Sequence, residues 1–187
     1  NSCEDMLFDG TGSAVLGSGS FNEKVQTILH YSDDAIGHSH QDGLNLIFNV
    51  FGRQMLDDIG YNRSALKFYT AYSFSHNLVL VDRTNQNMAA TGQQTNGSVD
   101  YYATNHEGVS VVSVDGRSYY TNPLGKYKRT VMQNASDLSA PYLLDIFEVE
   151  GGSMHDYILN GTRTSQQTVE TTNPVTPVPG EHPYLLE

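Results

Sequence analysis

The sequence predicts an all-β fold, an antiparallel sandwich or jelly roll, on three observations. Short runs of apolar and β-branched residues recur along the chain, and polar or glycine-containing turns punctuate them. No stretch longer than about two turns keeps apolar residues at the i, i+3, i+4 spacing of a helix.

Each element follows from its own pattern. Asn22 to His30 is the best helix candidate, but it is short and reads better as a strand. Leu44, Leu46, Phe48 and Val50 alternate with Asn45, Ile47, Asn49 and Phe51, so one face is wholly apolar and the other mixed. Gly52-Arg53 then turns the chain. Leu78 to Val81, Val109 to Val114 and Tyr142 to Phe147 are further strand candidates, punctuated by Asp115-Gly116 and Gly151-Gly152. Asp115-Gly116, between Val114 and the segment Arg117-Ser-Tyr-Tyr120, reads as a hairpin. No internal repeat is visible. From Thr164 the chain turns rich in Thr, Gln and Pro, with Pro174, Pro177, Pro179 and Pro183. The expected organisation is a β-sandwich domain over 1–163 and an extended or linker segment over 164–187.

Composition narrows the function. The 187 residues suffice for one domain with a sizeable core and are too few for two large ones. Ten Lys and Arg against 21 Asp and Glu leave a formal charge of −11, which argues against nucleic acid or an anionic membrane surface as the direct partner. The single Cys3 excludes an internal disulfide framework. No apolar run approaches the roughly 20 residues of a membrane span, and no charged-then-apolar leader opens the sequence. The chain starts at Asn1 and reads as a soluble, processed or partial piece. Sequons at Asn62, Asn96, Asn134 and Asn160 are read as chance in a sequence rich in Asn, Ser and Thr.

The chemistry gathers in one region. His38-Ser-His40, Asp57-Asp58-Ile-Gly60-Tyr61 and Ser75-His76-Asn77 each lie beside a strand-like run. In an extended segment, His38, His40 and Asp42 project from one face. Imidazoles with a carboxylate are ordinary zinc ligands, and three protein ligands leave a fourth position for water or substrate. His40, Asp58 and His76 supply such a set only if their segments are neighbours in space. Asp57-Asp58 before Gly60 equally suits turn chemistry, with the carboxylates capping backbone N–H groups.

The string Gly37-His-Ser-His-Gln-Asp-Gly-Leu-Asn-Leu46, followed by Gly52-Arg53, Asp58-Ile-Gly-Tyr61, Ser75-His-Asn-Leu-Val-Leu-Val-Asp82 and Gln86, resembles the β-sandwich domain of heparinase II/III-like polysaccharide lyases. Ser13 to Leu16, Tyr127 to Val131, Pro141 to Phe147 and Gly152 to Tyr157 extend the resemblance to about residues 7 to 163. The resemblance implies an antiparallel sandwich that works with an N-terminal (α/α) toroid lying outside this chain. It implies cleavage of uronic-acid polysaccharides by β-elimination, and a periplasmic or extracellular location. By position, it assigns His40, Asp58 and His76 to a structural zinc ion. It implies that His38 faces the cleft, for proton transfer or for contact with the substrate carboxylate. Tyr61, Tyr69 and Tyr72 occupy the stretch where the family can add an active-site tyrosine, and Tyr69 ranks first. Without the toroid, the expectation is little or no lyase activity from this piece alone. The competing readings are a non-catalytic carbohydrate-binding or structural sandwich stapled by zinc, and a metal cupin. A cupin motif wants a Glu a few residues after His-x-His, and Gln41 to Phe51 contains none.

Overall fold

A computed structural model describes residues 2–32, 39–61, 67–87, 96–122, 124–162, 168, 170–174 and 176. Two antiparallel meanders form the body. The first runs β1 (Met6–Phe8), β2 (Ser13–Ser18), β3 (Val25–His30), β4 (Leu46–Val50) and β5 (Arg53–Leu56), adjacent in chain order. The second runs β7 (Ser98–His106), β8 (Val109–Asp115), β9 (Lys126–Asn134) and β10 (Tyr142–Glu150), again adjacent in chain order. A separate ribbon pairs β6 (Val79–Val81) with β11 (His155–Tyr157). A five-residue helix, α1 (Lys67–Ala71), lies between β5 and β6. Among the described residues no helix is long and apolar enough to cross a membrane.

The two larger sheets pack face to face because each strand alternates. β3 buries Val25, Thr27 and Leu29, and β9 buries Tyr127, Arg129, Val131 and Gln133. Leu16, Leu29, Leu46, Val112, Val114, Tyr127 and Val131 meet in one apolar cluster, each fully removed from solvent. Full burial of such a side chain stabilises by about 1.5–3 kcal/mol relative to exposure. Polar pairs cross between the sheets where the core ends: Thr27 Oγ1 donates to Gln133 Oε1 at 2.8 Å. Asp5 likewise accepts from the Gly17 N–H at 2.8 Å and from Ser110 Oγ at 2.6 Å. The architecture is the antiparallel sandwich that strand alternation predicts.

Two local expectations are corrected. Asp115-Gly116 is not a tight hairpin: Asp115 Oδ1 accepts from the Arg117 N–H at 2.9 Å, Arg117–Tyr119 form a short 3-10 turn, and the next strand begins only at Lys126. Tight two-residue hairpins lie elsewhere: Glu107 and Gly108 at φ 52° and 83° join β7 to β8, and Phe51 and Gly52 at φ 52° and 75° join β4 to β5. Two successive positive φ values make the twist of such a loop match its strands. Leu44 is not part of β4 either. It adopts φ 65°, held there by its N–H donating to His30 O at 2.8 Å and by Arg129 Nη1 donating to its carbonyl at 2.7 Å. The left-handed conformation costs a bulky residue roughly 1–2 kcal/mol, and tertiary hydrogen bonds with complete burial offset it. Most of 164–187 lies outside the described residues.

Candidate functional site

Three loops build the site: residues 39–45 entering β4, Asp57 to Tyr61 leaving β5, and His76-Asn77 leading into β6. None of the site residues sits within a strand, so hydrogen bonds across the loops must place them.

Two asparagines form the cross-brace. Asn45 Nδ2 donates to Asp58 Oδ2 at 2.6 Å, and Asn45 Oδ1 accepts from the Asn77 N–H at 2.9 Å. Asn77 Nδ2 donates to Leu46 O at 2.8 Å and to Asp57 O at 2.9 Å. Both asparagines are buried. A side-chain amide offers two donors and an acceptor, which lets one residue tie several strand ends where no ladder exists. Gln86 performs a similar service for the His40 segment, donating to Gly43 O at 2.9 Å and accepting from the Gly43 N–H at 2.7 Å.

Beneath these loops lies Arg129, fully buried on β9. Its Nε and Nη2 donate to the two oxygens of Asp145 on β10 at 2.9 and 2.6 Å. Its Nη1 reaches the carbonyls of Leu44 and Asn77. One guanidinium thus anchors two of the three loops, with its charge matched by a carboxylate.

The loops bring three potential ligands together. Atoms of His40, Asp42 and His76 that could bind a metal all lie within 4.8 Å of one another, and the His40 and His76 rings are 5.3 Å apart. His76 is 1% exposed, and its Nε2 is buried without a hydrogen-bond partner among the described residues. Its Nδ1 lies 2.8 Å from Asp58 Oδ2. A buried nitrogen left unpaired costs about 1–3 kcal/mol, so an unpaired nitrogen on a ring grouped with two other donor residues is what a metal-binding histidine would show. Two imidazoles and a carboxylate are a donor set suited to zinc. The residues present therefore fit such an ion.

The charges agree with the geometry. Burial works against the Asp58 carboxylate, but the hydrogen bond and charge of His76, with hydrogen bonds from the Gly60 N–H and Asn45, outweigh it and hold its pKa at about 2. Burial first, and then neighbouring His76, pushes the His40 imidazole below its usual range, while Asp42 and, less strongly, Asp58 oppose that shift. A neutral imidazole is the ligating form.

Of the residues expected to hold zinc, His40 and His76 fall into one group with Asp42, which was not expected as a ligand, while Asp58 lies against His76 Nδ1 and is not in that group. His38 lies outside the described residues. Tyr69, on α1, is half-buried and meets Phe74 edge-on at 5.2 Å. Tyr61 is the tyrosine beside the ligands, its ring 6.4 Å from His40 and the Lys67 ammonium 5.8 Å from its centroid. Sequence reasoning missed Asn45 and Arg129. Arg129 did leave a signal, since it occupies an inward position of β9 between Tyr127 and Val131.

No family profile matches the chain, and no curated protein matches it in sequence. Solved structures do. A crystal structure of heparinase III superposes with TM-score 0.62 at 18% identity, covering 82% of this chain and 23% of that one. A second heparinase III gives TM-score 0.64 at 15% identity with the same coverage. The heparan sulfate lyase of Pedobacter heparinus gives TM-score 0.57 at 18% identity, covering 69% of this chain and 20% of that one. This chain spans about a quarter of the length of the heparinase III structures and shares with those lyases the fold of a β-sandwich.

Proposed function

We propose that the chain is the metal-bearing sandwich of a polysaccharide lyase that cleaves uronic-acid polysaccharides by β-elimination. The observation that carries this reading is the convergence of His40, Asp42 and His76, with its unpaired buried Nε2, on a sandwich like that of heparinase III. His40, Asp58 and His76 would hold zinc, with Asp42 grouped beside the two histidines. The bound ion fixes the geometry of the loops around it and is not assigned a step in the elimination.

The elimination needs a group that neutralises the uronate carboxylate, a base for the adjacent proton and an acid for the leaving oxygen. His38, two residues before His40, is assigned to proton transfer or to contact with that carboxylate. Tyr69 is assigned as acid or base from this chain. A helical toroid of the same longer protein supplies the opposite wall of the cleft, and an acidic polysaccharide is the partner. The location that suits such a substrate is periplasmic or extracellular.

A second reading, a non-catalytic carbohydrate-binding sandwich, is favoured by Tyr61, whose ring is 40% exposed beside the metal ligands and suits stacking on a sugar. The two separate in the longer protein joined to its helical domain, assayed on heparan-type and alginate-type polymers for the ultraviolet absorbance of an unsaturated uronate end. The lyase reading expects product, and a loss of about 10²–10⁴-fold in turnover for His38→Ala. Binding of polymer with no product from any of these uronans, or unchanged turnover in the variant, overturns it.

A further inference from the structure

We infer that the free edge of β10 is a self-association site, at which a second copy of this chain adds its own β10 antiparallel about a two-fold axis at Leu144. The inference stands on strand geometry and charge, independently of the metal reading.

The edges of the two sheets are not alike. In the first sheet, β1 has three residues, and β5 has four and meets β4 through a shift of register. In the second sheet, β7 departs twice from its register with β8. Short strands and bulges are devices that keep an edge from pairing with another chain. β10 carries neither: it pairs with β9 over its whole length, Tyr142 to Glu150, without a shift, and among the described residues no strand lies on its other side.

Its side chains divide by face. Leu143, Phe147 and Val149 pack on the core, and the Asp145 carboxylate is matched by Arg129. On the outer face Tyr142, Leu144 and Ile146 are 51, 46 and 46% exposed. The Tyr142 hydroxyl accepts from Asn134 Nδ2 at 2.9 Å, which fixes the ring before any partner arrives.

Spacing and charge select the occupant and its register. Leu144 stands midway between Tyr142 and Ile146, so an antiparallel copy centred on it sets Leu144 against itself and Tyr142 against Ile146 of the partner subunit. All three exposed apolar side chains are then paired with one another. Glu148 falls beyond that segment and keeps Lys126 Nζ at 2.9 Å. Centring on Asp145 would bring two carboxylates face to face, and centring on Ile146 would press Glu148 against Leu144. Centring on Tyr142 or Leu143 would shorten the ladder, since Pro141 at the head of the strand has no N–H to donate. Because the contact uses the same surface on both copies, it closes at a dimer and joins two four-stranded sheets into one.

The test is sedimentation equilibrium of the purified chain over a wide range of concentration. The mass is expected to climb from 20.6 kDa at high dilution to twice that value and to stop there. Leu144→Lys sets two ammonium groups together on the axis and is expected to weaken association by about 100-fold or more. Tyr101→Lys, on the opposite edge strand, is expected to leave it unchanged. Should Leu144→Lys fail to fold, oxidative crosslinking decides: in a Cys3→Ser background, Leu144→Cys is expected to form a disulfide-linked dimer and Glu150→Cys none. The reverse crosslinking pattern, a mass that passes beyond the dimer, or association undiminished in Leu144→Lys overturns the inference. A chain that stays monomeric at every concentration also overturns it, and leaves the β10 edge to another part of the longer protein.

Discussion

His76 Nδ1 lies 2.8 Å from Asp58 Oδ2, while Nε2 of the same ring is buried with no partner among the described residues. One side of the imidazole is thus engaged by the protein, and His76 groups with His40 and Asp42, whose ligand atoms lie within 4.8 Å of one another. In the proposed metal centre this one side chain would link ion binding to loop placement.

Removal of the metal should lower stability. Binding to the folded state alone contributes about 2.7 kcal/mol when free ion stands at 100 times its dissociation constant, equivalent to roughly 5–10 °C in melting temperature for a domain of this size. Thermal unfolding with a chelator, then with excess Zn²⁺, checks this. Identical curves would count against a metal tied to the fold.

His40→Ala and His76→Ala should each abolish tight Zn²⁺ binding, and the chelator should then leave their melting temperatures unchanged. A chelator-induced drop retained in either variant would mean that the ion sits elsewhere.

Arg129→Met should destabilise the fold by about 3–5 kcal/mol, because it takes the guanidinium from Asp145, which keeps only the Tyr157 hydroxyl, and leaves the Leu44 and Asn77 carbonyls without this donor. Denaturant unfolding reads the change. The same variant should weaken Zn²⁺ binding, since two of the ligand-bearing loops lose their anchor. A loss below about 1 kcal/mol would show that the guanidinium is dispensable.

Much of this architecture is legible in the sequence, and the parts that are not share a cause. Strands β8 and β10 announce themselves through β-branched and aromatic alternation, which is a local property. The His-x-His pair and the later His76 mark the site because imidazoles are scarce enough to stand out. Leu44 reads as strand because its side chain suits one. Bonds to His30 and Arg129, distant in sequence, impose its left-handed backbone. That Asp42 groups with His40 and His76 while Asp58 is held by Asn45 and Gly60 is hidden for the same reason, since it depends on loops brought together in space. Asp115-Gly116 misleads because the carboxylate caps a 3-10 turn instead of closing a hairpin.

Gly43 should not tolerate a methyl group. A Cβ there would lie 2.4 Å from Tyr119 ring carbons, and the buried ring is itself fixed by its hydroxyl accepting from the Gly97 N–H at 2.9 Å. Gly43→Ala is expected to cost about 1–3 kcal/mol by denaturant unfolding. An unchanged midpoint would contradict the packing between Asp42 and β4.

Alkaline pH should reveal the buried tyrosines. Burial raises Tyr127 well above its ordinary range, and burial with the hydrogen bond to Asp9 raises Tyr31. A folded-state pKa above the unfolded value of about 10 means that this stability is complete below pH 10 and is lost as pH climbs through the folded value. Tyrosinate absorbance followed against pH should leave these two protonated until the chain unfolds. Their ionisation in a folded protein near pH 10 would refute it.

The most direct measurement is the metal content of the purified wild-type chain by elemental analysis after dialysis against metal-free buffer. One zinc per chain is expected, and none in His76→Ala. A chain free of zinc that also takes up none on reloading, while folded, would contradict it.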